Sequence, residues 1–159
     1  MQDFLRGHGA MLGGWEEAAH GDVIDKSASY LVGWRNVQVN ALLASRGYRI
    51  VASPGQRYYL DMAIGPDWAE PGASWAGSPD LAATYGFEAR EGWNADQLIR
   101  LLGVQASIWS EPMHDRAIFD RLVFPRLSAV AEAGWTEPEN KSFARFSSRV
   151  ALLPVLYGY

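Results

Sequence analysis

Cysteine is absent from all 159 residues. That excludes disulfides and thiolate metal sites. The three histidines, His8, His20 and His114, show no ligand spacing among them, so no metal site is expected. A basic excess is missing too: 14 Lys and Arg against 18 Asp and Glu give a formal net charge of -4, whereas a dedicated nucleic-acid binder carries a basic domain. No apolar run approaches the roughly 20 residues of a membrane span, and nothing at the start reads as a signal peptide. There is no Walker loop, no Gly-x-Ser-x-Gly elbow and no Gly-x-Gly-x-x-Gly after a strand. No cofactor is called for, and nucleic acid and membrane drop out as expected partners.

Aromatic side chains are abundant instead: 7 Trp, 7 Tyr and 6 Phe in a chain that is 48% hydrophobic and 20% charged. These proportions suit one globular domain with a real core. Indoles also make platforms for sugar rings and other flat apolar ligand faces.

Along the chain, Gln2 to His8 reads as the tail of a helix without a cap, and Gly9 to Trp15 as a short apolar strand. Ser29 to Trp34 is a strand, Asn36 to Arg46 a helix closed by Gly47, and Tyr48 to Ser53 a strand stopped by Pro54. Strand, helix and strand at these lengths make a parallel crossover. Residues 54–93 have many Gly, Pro and aromatics and no periodic segment, which predicts a long folded loop over a site. Asn94 caps a helix to Leu102 that Gly103 closes, and alternation from Val104 to Trp109 predicts a buried strand. Helices follow from Asp115, from Arg126 to Gly134, and from Ser142 to about Leu156. The order implies an α/β fold with a parallel sheet.

Three predicted strands end in tryptophan (Trp15, Trp34, Trp109), each followed within two residues by a charged group (Glu16, Arg35, Glu111). The remaining strand breaks at Pro54 and leads to Tyr58-Tyr59-Leu60-Asp61. Parallel strands point their C-terminal ends one way, so these groups are expected around one rim, where α/β folds bind ligands. In extended chain, Tyr59 and Asp61 share a side, as do Trp109 and Glu111. A phenol, two carboxylates and several indoles suit a polar ring with an apolar substituent, such as a sugar carrying an N-acyl group. Glu16 and Glu17 are adjacent, and on a strand would face opposite ways, which leaves Glu17 solvated.

Six stretches in this order resemble glycoside hydrolase family 20, the β-N-acetylhexosaminidases: Trp15-Glu-Glu, Val32-Gly-Trp34-Arg, Tyr59-Leu-Asp61-Met, Ser74-Trp75-Ala-Gly, Gly103 to Glu111, and Phe124 to Trp135. The resemblance implies a (β/α)8 TIM barrel of which residues 1–159 are the C-terminal half, strands five to eight with their helices. It implies that Trp15, Trp34 and Trp109 enclose the 2-acetamido group, that the catalytic Tyr59 donates to the acetamido oxygen, that Asp61 and Trp75 contact O6, and that Glu111 binds O4 along with O6. The partner implied is an N-acetylhexosamine-containing glycan or chitooligosaccharide, cleaved by substrate-assisted retention.

The chain departs from the family where the chemistry needs it most. The family's Asp-Glu catalytic pair belongs on strand four and its sugar-binding arginine on strand one, and neither strand is represented. The resemblance therefore implies a fragment of the enzyme, inactive alone. Its open inner face, with Met11, Tyr30 or Leu31 and the tryptophans, invites self-association. A non-catalytic carbohydrate-binding module that retains the aromatic pocket is the alternative.

Overall fold

The computed structural model of the protein describes residues 1–153. In chain order its elements are α1 (Gln2–Gly7), β1 (Leu12–Trp15), β2 (Ser29–Gly33), α2 (Val37–Ser45), β3 (Arg49–Ala52), α3 (Gly55–Tyr58), α4 (Leu81–Tyr85), α5 (Ala95–Leu98), β4 (Leu101–Val104), α6 (Arg116–Val123), α7 (Arg126–Trp135) and α8 (Phe143–Val150). They form two compact units: Met1–Gly55 with Ala89–Gln105, and Gln56–Glu88 with the described residues from Ala106 onward. No helix among the described residues is long and apolar enough to cross a membrane.

The first unit is built on a four-stranded sheet, all parallel, in the order β1-β2-β3-β4. The crossover read from sequence is present. The Asn36 side chain accepts from the Val39 N–H at 2.8 Å to start α2. Gly47 ends it at φ +96, a left-handed position that favours glycine. Leu31 of β2 stands beside Ile50 of β3. Both are fully buried and join Ala52, Leu43 and Ala44 in the core. Tyr30, Val32 and Val51 lie on the other, half-buried face.

Around β4 the structure corrects the sequence. The helix predicted to reach Leu102 is the short α5, because the sheet captures the next backbone groups: Ile50 N–H donates to Arg100 O at 2.9 Å. The β3–β4 register shifts at Ile50/Val51, leaving Leu102 as an extra residue. Gly103, at φ +152, sits inside the strand there and does not close a helix. The strand predicted through Trp109 stops at Val104, and only Ser107 pairs further on, in a single parallel bridge with Tyr59.

In the second unit, Tyr85 of α4, Ala129 of α7 and Phe146 of α8 form a buried cluster, with Leu81 and Val150 packed against it. The stretch 54–93, predicted as loop throughout, holds α3 and α4. Each spans only about one turn, too short for a periodic pattern. Asp115 caps α6, accepting from the Ile118 N–H at 2.8 Å, and Pro125 separates α6 from α7 as expected. The last helix, expected to reach Leu156, ends at Val150 with Ala151 as its cap; positions 154–156 of that expectation lie outside the described residues.

The central residue of this unit is Arg126, only 1% exposed. Its guanidinium donates to Leu60 O at 2.9 Å, Met62 O at 2.8 Å, Pro79 O at 3.1 Å and Leu122 O at 2.6 and 3.0 Å. One planar cation thus joins the 60–62 turn, the start of α4 and the end of α6. Burial lowers its pKa to about 10. With about 1–3 kcal/mol for each buried acceptor left unsatisfied, Arg126→Met should lose more than about 3 kcal/mol of stability, and Arg126→Lys should not restore it. Urea denaturation followed by tryptophan fluorescence tests this; a loss below about 1 kcal/mol would remove Arg126 from its central place.

Candidate active site

The sequence-predicted residues fall into two groups, one in each unit. In the first unit Trp15 ends β1 and Trp34 directly follows β2. The chain leaves β1 into a short 3-10 segment, Glu16–Asp22, so the expected alternation of Glu16 and Glu17 across a strand does not hold. Glu16 is 2% exposed. Its carboxylate accepts from the backbone N–H of Trp34 at 2.9 Å and of Arg35 at 3.3 Å, and pairs with the Arg35 guanidinium. Glu17 is not merely solvated: its Oε1 accepts from the Trp34 indole Nε1–H at 2.9 Å and lies 3.6 Å from Arg35.

In the second unit the turn Tyr59–Met62 carries two of the predicted residues. It is tight, with Met62 N–H donating to Tyr59 O at 3.4 Å, so the extended geometry expected for Tyr59 and Asp61 is replaced by a turn. One side is tied to the Ser107 segment: Leu60 N–H donates to Ser107 O at 2.8 Å and Ser107 N–H to Tyr58 O at 3.0 Å. The other side is tied to Ala73, whose N–H donates to Asp61 O at 2.9 Å. Gly72 permits that approach. It adopts φ +117, and a Cβ there would stand 2.6 Å from Ala63 N.

These ties gather the aromatics. The Tyr59 ring lies 6.0 Å from Trp75, edge-on at 79°, and 5.8 Å from Trp109, tilted at 58°. Tyr59 is buried, while Trp75 and Trp109 are 61% and 38% exposed. Asp61 is 3% exposed, and its Oδ1 has no hydrogen-bond partner. Burial raises its pKa above the ordinary 3.8. The nearby Glu111 charge pushes the same way, against backbone N–H donors that include Trp109 and against Arg126. Glu111 itself is exposed, in the turn after Trp109. Glu70 anchors the intervening loop to α6 through a bidentate pair with Arg121, at 2.6 and 2.8 Å.

Chemically, the second-unit group offers an aromatic surface, a buried phenol and a buried carboxyl with one oxygen lacking a hydrogen-bond partner. That set holds a polar ring against flat apolar faces. Trp68, 96% exposed, and Trp135, 92% exposed, are surface residues, and Trp93 is buried in the first unit. No group of His, Cys, Asp or Glu among the described residues could hold a metal.

The supporting roles of two residues escaped sequence reasoning. Arg126 heads the buried stripe Arg126, Ala129, Val130 of α7, and a charged residue in register with an apolar stripe was the available signal. Glu16 was placed at the rim by sequence, but nothing in the pattern showed the bonds from the Trp34 and Arg35 backbone that it accepts.

The sequence profile of the glycosyl hydrolase family 20 catalytic domain matches residues 1–138. The chain belongs to that family. Among family 20 relatives, a β-hexosaminidase of Vibrio furnissii is 36% identical over 132 residues, 82% of this chain and 21% of that protein. A β-N-acetylhexosaminidase of Cellulomonas fimi is 36% identical over 114 residues, 68% of this chain and 22% of that protein. The crystal structure of the family 20 exo-β-N-acetylglucosaminidase from Vibrio harveyi, in complex with N-acetylglucosamine, superposes with a TM-score of 0.88 at 34% identity, covering 98% of this chain and 25% of that one. The chain thus spans about a fifth of the length of these curated relatives.

Asp61 makes a pH test available. The folded state holds its proton more tightly than the unfolded chain does, so its stabilising contribution is full below pH 3.8 and lost as pH rises through the raised folded value. The stability of wild type relative to Asp61→Asn should therefore fall as pH increases from about 3 to 7. Urea denaturation of both proteins across that range measures it, and a pH-independent difference would contradict the burial of this carboxyl.

Proposed function

We propose that the chain is the second half of a β-N-acetylhexosaminidase barrel, strands five to eight, and that it supplies the sugar-binding groups of an enzyme whose general acid lies outside these 159 residues. The observation that carries this reading is the gathering of Tyr59, Trp75 and Trp109 beside the buried Asp61, whose Oδ1 has no hydrogen-bond partner. Family membership and the names of the relatives support the substrate class.

In this reading a terminal N-acetylglucosamine or N-acetylgalactosamine is the substrate. Its acetamide oxygen attacks C1, the C1–O bond to the leaving group breaks, and the leaving oxygen takes a proton from the Asp-Glu pair of strand four. Water then opens the oxazolinium ion at C1, and the configuration is retained. Tyr59 donates a hydrogen bond to the acetamide oxygen and orients it, which converts substrate geometry into rate. Trp109, Trp15 and Trp34 wall the acetamide methyl. Asp61 accepts from O6 with Trp75 beside it, and Glu111 accepts from O4. Alone, the chain hydrolyses nothing and self-associates through its open sheet.

In the intact enzyme Tyr59→Phe should lower kcat on an aryl N-acetylglucosaminide about 10²–10³-fold with little change in KM, as for loss of one oxyanion-type donor. Wild-type turnover by Tyr59→Phe would sink the assignment.

A further inference from the structure

We propose that Glu17 is a positioning residue that fixes the Trp34 indole and so sets which N-acyl groups the enzyme accepts; this rests on the function proposed above, in which Trp34 walls the acetamide. Four of the contacts that hold Trp34 lie within the first unit. Its backbone N–H donates to Glu16 at 2.9 Å and its carbonyl accepts from Gly55 N–H at 2.8 Å, which fixes where the residue sits. Neither contact fixes the ring. The ring is held by Glu17, which accepts from the indole N–H at 2.9 Å, and by Arg35, whose guanidinium lies 6.0 Å from the ring centroid. Arg35 is itself placed by its pair with the buried Glu16 and lies 3.6 Å from Glu17.

The two glutamates thus divide the work. Glu16 is buried and sets the backbone, so its loss threatens the fold. Glu17, with its side chain 46% exposed, touches only the indole edge and the guanidinium in the bonds described. A charged acceptor on an indole N–H restricts rotation of the ring about its side-chain torsions. A fixed wall rejects an acyl chain longer than acetyl; a loosened one admits it. Removing Glu17 therefore changes selectivity, whereas general damage to the fold would lower all rates together.

The test uses the intact enzyme with Glu17→Ala and Glu17→Gln. Fluorine NMR of fluorotryptophan-labelled protein reports the ring, the Trp34 signal being assigned by its loss in Trp34→Phe. Aryl glucosaminides with N-acetyl and N-butyryl groups report selectivity. Glu17→Ala should shift the Trp34 signal, lower kcat/KM for the N-acetyl substrate about 3- to 10-fold, as for one lost hydrogen bond at a half-exposed site, and lower the acetyl-to-butyryl ratio. Glu17→Gln, whose amide oxygen still accepts from the indole, should recover most of both. An unmoved Trp34 signal, or two rates that fall in parallel at constant ratio, overturns the proposal. A wild-type enzyme that cleaves neither substrate overturns the proposed function itself, and the fluorine shift then judges the Glu17–Trp34 link separately.

Discussion

The second unit depends on one buried cation. Arg126 has almost no contact with solvent, and its guanidinium lies among the carbonyls of Leu60, Met62, Pro79 and Leu122. A guanidinium taken from water is costly unless its N–H donors are matched, and here they are matched by backbone oxygens instead of a partner carboxylate. The cost appears as a lowered pKa, but the charge remains. The gain is geometric. Two of the carbonyls flank Asp61 in the chain, so the cation that organises the core also sets the turn from which Tyr59 and Asp61 project.

Two buried carboxylates meet different electrostatic surroundings. Glu16 is engaged by two backbone N–H groups and a guanidinium. Asp61 is equally buried, and its Oδ1, like the Glu16 Oε1, lacks a hydrogen-bond partner; but the Glu16 oxygen has the Arg35 guanidinium against it, whereas burial raises the Asp61 pKa. An unsatisfied buried acceptor is expensive to keep.

Much of this was legible in the sequence. The crossover from Ser29 to Ser53 was marked by a helix-ending Gly47, a stop at Pro54 and apolar runs of strand length, local signals that the structure repeats. The parallel order followed from those lengths. The segment from Asn94 to Trp109 was misread because its outcome is set by neighbours: β3 claims the backbone from Arg100, and Tyr59 pairs with Ser107. Local pattern cannot show such competition. The same holds for Tyr59 and Asp61, whose spacing suggested extended chain but which lie in a turn made by Arg126 and Ala73. The residue types at the candidate site were readable; the contacts that aim them were not.

The central claim is that this chain holds the sugar-binding groups and not the general acid. The most direct test is hydrolysis of a chromogenic N-acetyl-β-glucosaminide by the purified 159-residue chain, alone and after mixing with a polypeptide carrying strands one to four of the barrel. The account predicts no turnover alone and measurable turnover on mixing, lost again when the Tyr59→Phe chain is used. Turnover by the isolated chain would contradict it, because the acid would then lie within these residues; none on mixing, despite a formed complex, would favour a carbohydrate-binding module instead.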